Sequence, residues 1–271
     1  MIICCLENYN ILGYRKRMKF LLISSAAAVL LGLGAVFAFL PSANGQSATV
    51  APSLTVNQSS DELVKHPTEV VELFTSQGCS SCPPADRFIA SLSNSPSTLA
   101  LSFNVTYWDY LGWKDRFGQR DFTKRQKEYA KSLGVGNVYT PQIVLNGATH
   151  DNIFSRDQVM TTSLPQNRPL LALNEQGDSL IASATNNEKL SDFELTIVAY
   201  QPGMQTTPVN RGENRNRTLE NYNVVSGVYP LNAKHDYTLD TANHDDGMAY
   251  VLLAADRKTS KIVSATQISS N

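Results

Sequence analysis

Cys79 and Cys82 are the residues of this chain whose type and spacing most directly suggest chemistry. They read Gly78-Cys79-Ser80-Ser81-Cys82, a C-x-x-C. Such a pair serves as half a zinc site, as a structural disulfide or as a redox dithiol. Zinc normally takes four ligands. There is no second C-x-x-C, and His66, His150, His235 and His244 are scattered along the chain. A disulfide closing so small a loop would restrict the unfolded chain little. A strand before the pair and a helix after it favour the redox reading.

Position supplies the physical reason. The first amides of a helix lack intrahelical partners and point toward a sulfur placed at its start. Together with the helix dipole they favour thiolate at Cys79. Cys82, one turn on, is placed to resolve a mixed disulfide. Cys79, ahead of the helix, is expected to be the more exposed and more reactive of the two. Pro83 and Pro84 follow Cys82 directly. Proline has no N–H to donate but suits a helix start, so the helix is expected to begin at one of them, with fewer dipoles acting on Cys79.

Other residues bear on the pair. Glu72 lies in the preceding strand, where burial would raise its pKa and let it shuttle the proton of the resolving cysteine. Pro141 opens a later strand, and the Thr140–Pro141 bond there is a candidate cis peptide. Trp108 and Trp113, within an aromatic run from Tyr107 to Phe117, are candidate substrate-groove residues, as is Thr140. Arg211, Arg215 and Arg217 around Glu213 read as a solvated loop. No metal-ligand set is assigned and no cofactor is called for.

The elements that must hold these residues follow from periodicity. Val70 to Thr75 is an apolar, β-branched run, hence a buried strand. Ala85, Phe88, Ile89 and Leu92 recur at helical spacing. Leu99 to Tyr107 alternates apolar and polar residues with period two, a strand with one buried face. A second helix runs from about Gln119 to Leu133, with Gly134 as its stop. Gln142 to Leu145 is a strand, and Asn146-Gly147 a hairpin turn. Ser155 and Gln158 form a capping box for a third helix reaching about Leu164. The order is β-α-β-α-β-β-α. Beyond a linker at Leu164–Pro169 come strand-like runs at 170–173, 180–184, 193–200, 222–228, 248–254 and 262–268. They describe an all-β, sandwich-like second domain. The predicted organisation is a targeting segment over 1–45, a flexible leader over 46–63, an α/β domain over 64–164 and the all-β domain over 165–271.

The targeting segment carries Arg15, Lys16, Arg17 and Lys19 ahead of an uncharged apolar run from Phe20 to Leu40. Small residues follow, with Ala43 and Gly45 suited to a cleavage site. The reading is an exported protein, periplasmic or secreted. The membrane is a partner only if the segment stays uncleaved as an anchor. Translation from Met18 would also give a complete signal and would omit Cys4 and Cys5. With a net charge of −1 over 271 residues and no block of like charge, a nucleic-acid partner is excluded.

Together the buried acid, the C-x-x-C at a helix start and the later Thr-Pro resemble the thioredoxin superfamily. That resemblance implies Cys79 as the attacking thiolate, Cys82 as the resolving cysteine, Pro141 as a cis-proline facing them and Glu72 as the buried acid with one extra loop residue. Three longer stretches, Glu72 to Asp86, Tyr107 to Asp115 and Tyr139 to Gln142, are similar to the exported, mainly bacterial thioredoxin-like family called domain of unknown function 1223. Gly212-Glu213-Asn214 and Asn223-Val224-Val225 fit it too. The function implied is thiol–disulfide exchange with a thiol- or disulfide-bearing protein or a small thiol. The alternatives are soft-metal binding, with copper held by the two thiolates and His150 or a methionine, and a binding or scaffold protein with an inert core.

Overall fold

The computed structural model describes residues 64–93, 95–184, 189–235 and 237–269. The targeting segment and the leader lie outside them. Among the described residues no helix is long and apolar enough to cross a membrane.

The α/β part runs β1 (Val64–Lys65), β2 (Glu69–Thr75), α1 (Pro83–Leu92), β3 (Thr98–Asn104), α2 (Arg120–Ser132), β4 (Gln142–Leu145), β5 (Thr149–Asp151) and α3 (Arg156–Met160). The all-β part follows as β6 (Leu171–Glu175), β7 (Ser179–Ala184), β8 (Phe193–Val209), β9 (Arg217–Leu231), β10 (Thr238–Asp240), β11 (Ala249–Asp256) and β12 (Ile262–Ser269). The first part is thioredoxin-like, and the second is a two-sheet β structure. Short β1 stands apart from the first part, pairing with β12.

One sheet runs through both parts, in the order β1-β12-β11-β8-β9-β3-β2-β4-β5. The junction is a parallel contact between β3 and β9 at Ser102 and Val224. A smaller sheet, β10-β7-β6, completes the sandwich. Alternation along each strand sorts the core. Val70 and Phe74 of β2, Leu101 and Phe103 of β3, Val198 of β8 and Val251 of β11 share one cluster with Phe122 and Tyr129 of α2. Val71 and Leu73 instead join Ala85, Ile89 and Leu92 of α1. The residues beside Val198, Ile197 and Ala199, meet Leu171, Leu173 and Leu180 of the small sheet. Each large side chain so buried contributes roughly 1.5–3 kcal/mol.

Four elements differ from expectation. β3 ends at Asn104 instead of Tyr107, and both its faces are buried, Ser102 and Asn104 included. The period of two is real, but α1 covers the face that polarity alone assigned to solvent. α3 stops at Met160, one turn after its Ser155–Gln158 capping box. β8 and β9 are much longer than their apolar runs, because polar residues continue the ladder to Val209↔Arg217. Register shifts at Ala199/Tyr200 and Gln201/Met204 bend this hairpin. At the bend Asn223, with φ +46°, accepts from Gly203 N at 3.0 Å and donates to Ala100 O at 2.9 Å.

Candidate functional site

β2 delivers its chain end to a tight turn. Cys79 N donates to Ser76 O at 3.1 Å, and Cys82 N donates to Cys79 O at 3.3 Å. Cys82 is the N-cap of α1, and Pro83 and Pro84 occupy its first positions. Cys79 and Cys82 are joined in a disulfide. Ser81 Oγ lies 3.4 Å from Cys79 Sγ. The two prolines remove two of the amides that a helix start would otherwise aim at the sulfur.

The expected contrast in exposure is not found. Cys79 is 1% exposed and Cys82 0%. The tip of the β8–β9 hairpin lies on the cysteine loop. Asn214 Nδ2 donates to Gln77 O at 3.0 Å and to Cys79 O at 2.9 Å. Glu213 Oε2 accepts from Ser80 N at 3.2 Å. Arg217 Nη1 donates to Asn214 Oδ1 at 2.7 Å and so fixes which way the amide faces. The tip is thus a packed contact and not the solvated loop that its composition predicts. Its distance in the chain from the cysteines hides the contact, and only the fit of Gly212-Glu213-Asn214 to the family pattern pointed to it.

Gln77 is the hub beneath the loop. Its N–H donates to Asp115 Oδ2 at 2.7 Å, its Nε2 to Thr207 Oγ1 at 3.0 Å, and its Oε1 accepts from Trp113 Nε1 at 3.0 Å. Asp115 also accepts from Asn104 Nδ2 at 2.9 Å. Burial raises the Asp115 pKa, opposed by these donors. Trp113 is therefore part of the support of the cysteine loop.

Glu72 is buried, as expected, but it does not face the cysteines. It shares the β2 face of Val70 and Phe74, and its carboxylate binds Arg125 Nε at 2.8 Å and the Tyr129 hydroxyl, both from α2. α1 packs on the other face, beneath Val71 and Leu73. A strand alternates with period two, so the one-residue offset in the loop places this acid on the wrong side of the sheet. The acid on the cysteine side is Asp86, one turn past Cys82 in α1. Its carboxyl accepts from Asn221 Nδ2 at 3.2 Å. Desolvation raises its pKa to about 7, opposed by the side chains of Thr75 and Asn221.

The Thr140–Pro141 bond is cis. Trp108 Nε1 donates to Thr140 Oγ1 at 2.7 Å, while Trp108 Cβ would sit 2.9 Å from any Cβ added at Gly78. One indole thus spaces the Thr140–Pro141 turn against the cysteine loop. This also explains why no aromatic residue precedes Cys79. Gln126 of α2 holds the same turn through Tyr139 O at 2.7 Å. Beside the turn opens a groove of about 620 Å³, lined among others by Ser81, Pro84, Phe88, Thr140, Pro141 and Ile153. Pro141 and Thr140 line it; Trp108 and Trp113 do not. His150 Nδ1 is engaged with the Tyr139 hydroxyl at 2.8 Å. Among the described residues no group of three or more His, Cys, Asp or Glu side chains could hold a metal ion.

A disulfide-forming C-x-x-C at a helix start in a thioredoxin-like fold is the arrangement that performs thiol–disulfide exchange. Comparison with known proteins agrees with this architecture. The family model described as protein of unknown function (DUF1223) matches residues 70–254. The chain belongs to that family. A crystal structure of a protein from Agrobacterium tumefaciens is 27% identical, covering 76% of this chain and 96% of that one, with a TM-score of 0.58. HBP35 of Porphyromonas gingivalis is more distant, at 12% identity, 76% coverage of each chain and a TM-score of 0.49. No curated protein matches the chain.

Proposed function

We propose that this family member exchanges disulfides with thiol-bearing proteins outside the cytoplasm, with Cys79 as the attacked sulfur and Cys82 as the resolving one. The observation that carries the reading is the Cys79–Cys82 disulfide at the start of α1, with Ser81 and Pro84 lining the same groove as cis-Pro141. The charged n-region and the apolar run from Phe20 to Leu40 support the location.

In the oxidising direction a substrate thiolate attacks Cys79 Sγ. A substrate–Cys79 disulfide forms, and the Cys79–Cys82 bond breaks with its electron pair leaving on Cys82. Asp86 gives Cys82 a proton in this step and takes it back when the reaction runs in reverse. A carboxyl with a pKa of about 7 does either near neutral pH. Pro141 and Thr140 flank the incoming chain. A second thiolate of the substrate then attacks the substrate sulfur bound to Cys79 and expels Cys79, so the substrate leaves with a disulfide and the protein as a dithiol. In the reducing direction the Cys79 thiolate attacks a substrate disulfide, and Cys82 resolves the mixed disulfide by attacking Cys79 Sγ, which releases the substrate thiol and restores the protein disulfide.

Cys82→Ser is expected to accumulate mixed disulfides with partners in the native compartment, and Cys79→Ser to form none. Non-reducing gels with mass spectrometry read this directly. Trapping through Cys82 alone would reverse the roles, and no adduct from either variant would sink the exchange reading.

A further inference from the structure

The tip of the β8–β9 hairpin closes on the cysteine loop through three hydrogen bonds from side chains to backbone, and none of them touches a sulfur. Asn214 ties together the carbonyls of Gln77 and Cys79, and Arg217 holds Asn214 in that orientation. Glu213 places a carboxylate oxygen 3.2 Å from Ser80 N, the amide immediately after Cys79. Four other amides of the turn are already used. Gln77 N goes to Asp115, Gly78 N to Ser76 Oγ, Cys79 N to Ser76 O and Cys82 N to Cys79 O. Pro83 and Pro84 have none to offer. Glu213 therefore occupies a backbone donor that would otherwise be free to stabilise an anion at Cys79.

We propose that Glu213 and Asn214 are positioning residues that set the redox poise of the Cys79–Cys82 pair by holding it toward the disulfide. This rests on the exchange reading. Two effects act in the same direction. The clamp fixes the Cys79 carbonyl and the Ser80 amide in the geometry that the disulfide requires. When the S–S bond opens, the sulfurs move apart and the loop must strain against those hydrogen bonds. The Glu213 carboxylate also puts negative charge beside the residue whose thiolate appears on reduction, and like charge disfavours it. The surrounding charges do not cancel this. Asp86 on α1 and Asp115 after β3 are buried on the cysteine side, and Arg217 is engaged with Asn214. Arg87, Arg211 and Arg215 are exposed, where solvent screens them, whereas Glu213, though exposed as well, is held 3.2 Å from Ser80 N.

The couple to measure is the protein disulfide with glutathione. One glutathione thiolate attacks Cys79 and expels Cys82. A second attacks the bound glutathione sulfur and expels Cys79. The two protons that the glutathiones lose pass to Cys82 and, according to its ionisation, to Cys79 or to solvent, and the two glutathiones leave as their disulfide. The fraction reduced is read by alkylation and intact mass across a series of glutathione ratios. Glu213→Gln, an exposed position that folding tolerates, is expected to shift the equilibrium several-fold toward the dithiol and to speed alkylation of Cys79 at neutral pH. Asn214→Ala is expected to shift it about tenfold, the loss of a typical buried hydrogen bond, which is about 30 mV for this two-electron couple. If Glu213→Gln leaves both the equilibrium and the pH profile of alkylation unmoved, or moves them toward the disulfide, the inference is overturned while exchange stands. If glutathione at every ratio leaves the disulfide intact in the native protein and in Glu213→Gln alike, both readings fall.

Discussion

Asn221 Nδ2 of β9 donates to the carboxyl of Asp86 in α1 at 3.2 Å, so a residue of the all-β part holds the acid that follows Cys82. Asn221 also lies within 3.5 Å of Gln77 Nε2. The thioredoxin-like part therefore does not complete its own site. Its helix acid, its loop carbonyls and its loop amide are all met by β8, β9 or the tip between them.

The first prediction concerns pH and stability. Desolvation raises the Asp86 pKa from 3.8 to about 7 in the folded protein. The folded state then binds more protons than the unfolded chain between these values. Its contribution is fully present below pH 4 and is lost as pH rises to about 7, by a few kcal/mol in order of magnitude. Denaturant titrations at a series of pH values should show native stability falling through this window relative to Asp86→Asn. Parallel curves for the two proteins would contradict the assignment.

Glu72 should behave differently. Its partners Arg125 and Tyr129 are on α2. Glu72→Gln leaves the Arg125 guanidinium, whose side chain is 17% exposed, without its counter-charge, a change that costs at most about 3–5 kcal/mol. The pH profile of exchange should nevertheless match the native one, whereas Asp86→Asn should move it. Urea midpoints and exchange rates on the same preparations separate the two acids. A displaced profile for Glu72→Gln would return this residue to the cysteine site.

The contrast between these two acids shows what was legible in the sequence. Strand, turn, C-x-x-C, helix and cis-proline are local signals, and each stands where its residues predicted. The face on which Glu72 projects depends on one loop residue, and no periodicity within β2 reveals it. Asp86 reads as an ordinary polar position in an amphipathic helix, because the strand that buries it, β9, is more than a hundred residues away in the chain. The same distance hid Asn214 and Glu213. Their neighbours Arg211 and Arg215 are exposed, so the composition of the tip truthfully describes most of its residues and omits the two that matter. Trp108 and Trp113 were legible as important aromatics, yet their N–H groups go to Thr140 and Gln77 inside the protein.

Gly78 tests the packing of that indole. A Cβ at position 78 would lie 2.9 Å from Trp108 Cβ and 3.3 Å from Trp108 O. Gly78→Ala must push the Trp108 backbone away and with it the hydrogen bond to Thr140. The expected loss of stability is about 1–3 kcal/mol. Exchange should slow as well, because the cysteine loop and the Thr140–Pro141 turn no longer keep their spacing. Trp108→Phe, which keeps an aromatic ring but loses the indole N–H, should slow exchange with a loss of stability of about 1 kcal/mol from the hydrogen bond. Native stability and rate in Gly78→Ala would mean that the contact is slack.

The groove beside Pro141 makes the last prediction. Ile153 is 70% exposed at its rim, an unusual position for a large aliphatic side chain. Phe88 and Pro84 line the groove with it, and Ser81 brings it to the disulfide. A peptide whose cysteine reaches Cys79 would lay its neighbouring residues across this surface. An apolar neighbour buried against Ile153 gains a fraction of the 1.5–3 kcal/mol that full burial of such a side chain yields. Glutathione is too small and too polar to use it. Ile153→Asp should therefore slow exchange with a peptide bearing an apolar residue beside its cysteine by roughly tenfold, and leave the rate with glutathione unchanged. Ile153 is exposed, so the substitution should not disturb folding. Stopped-flow rates with the two substrates give the comparison directly. Equal slowing with both would point to damage at the disulfide itself, and no slowing with either would show that the substrate chain does not cross the groove.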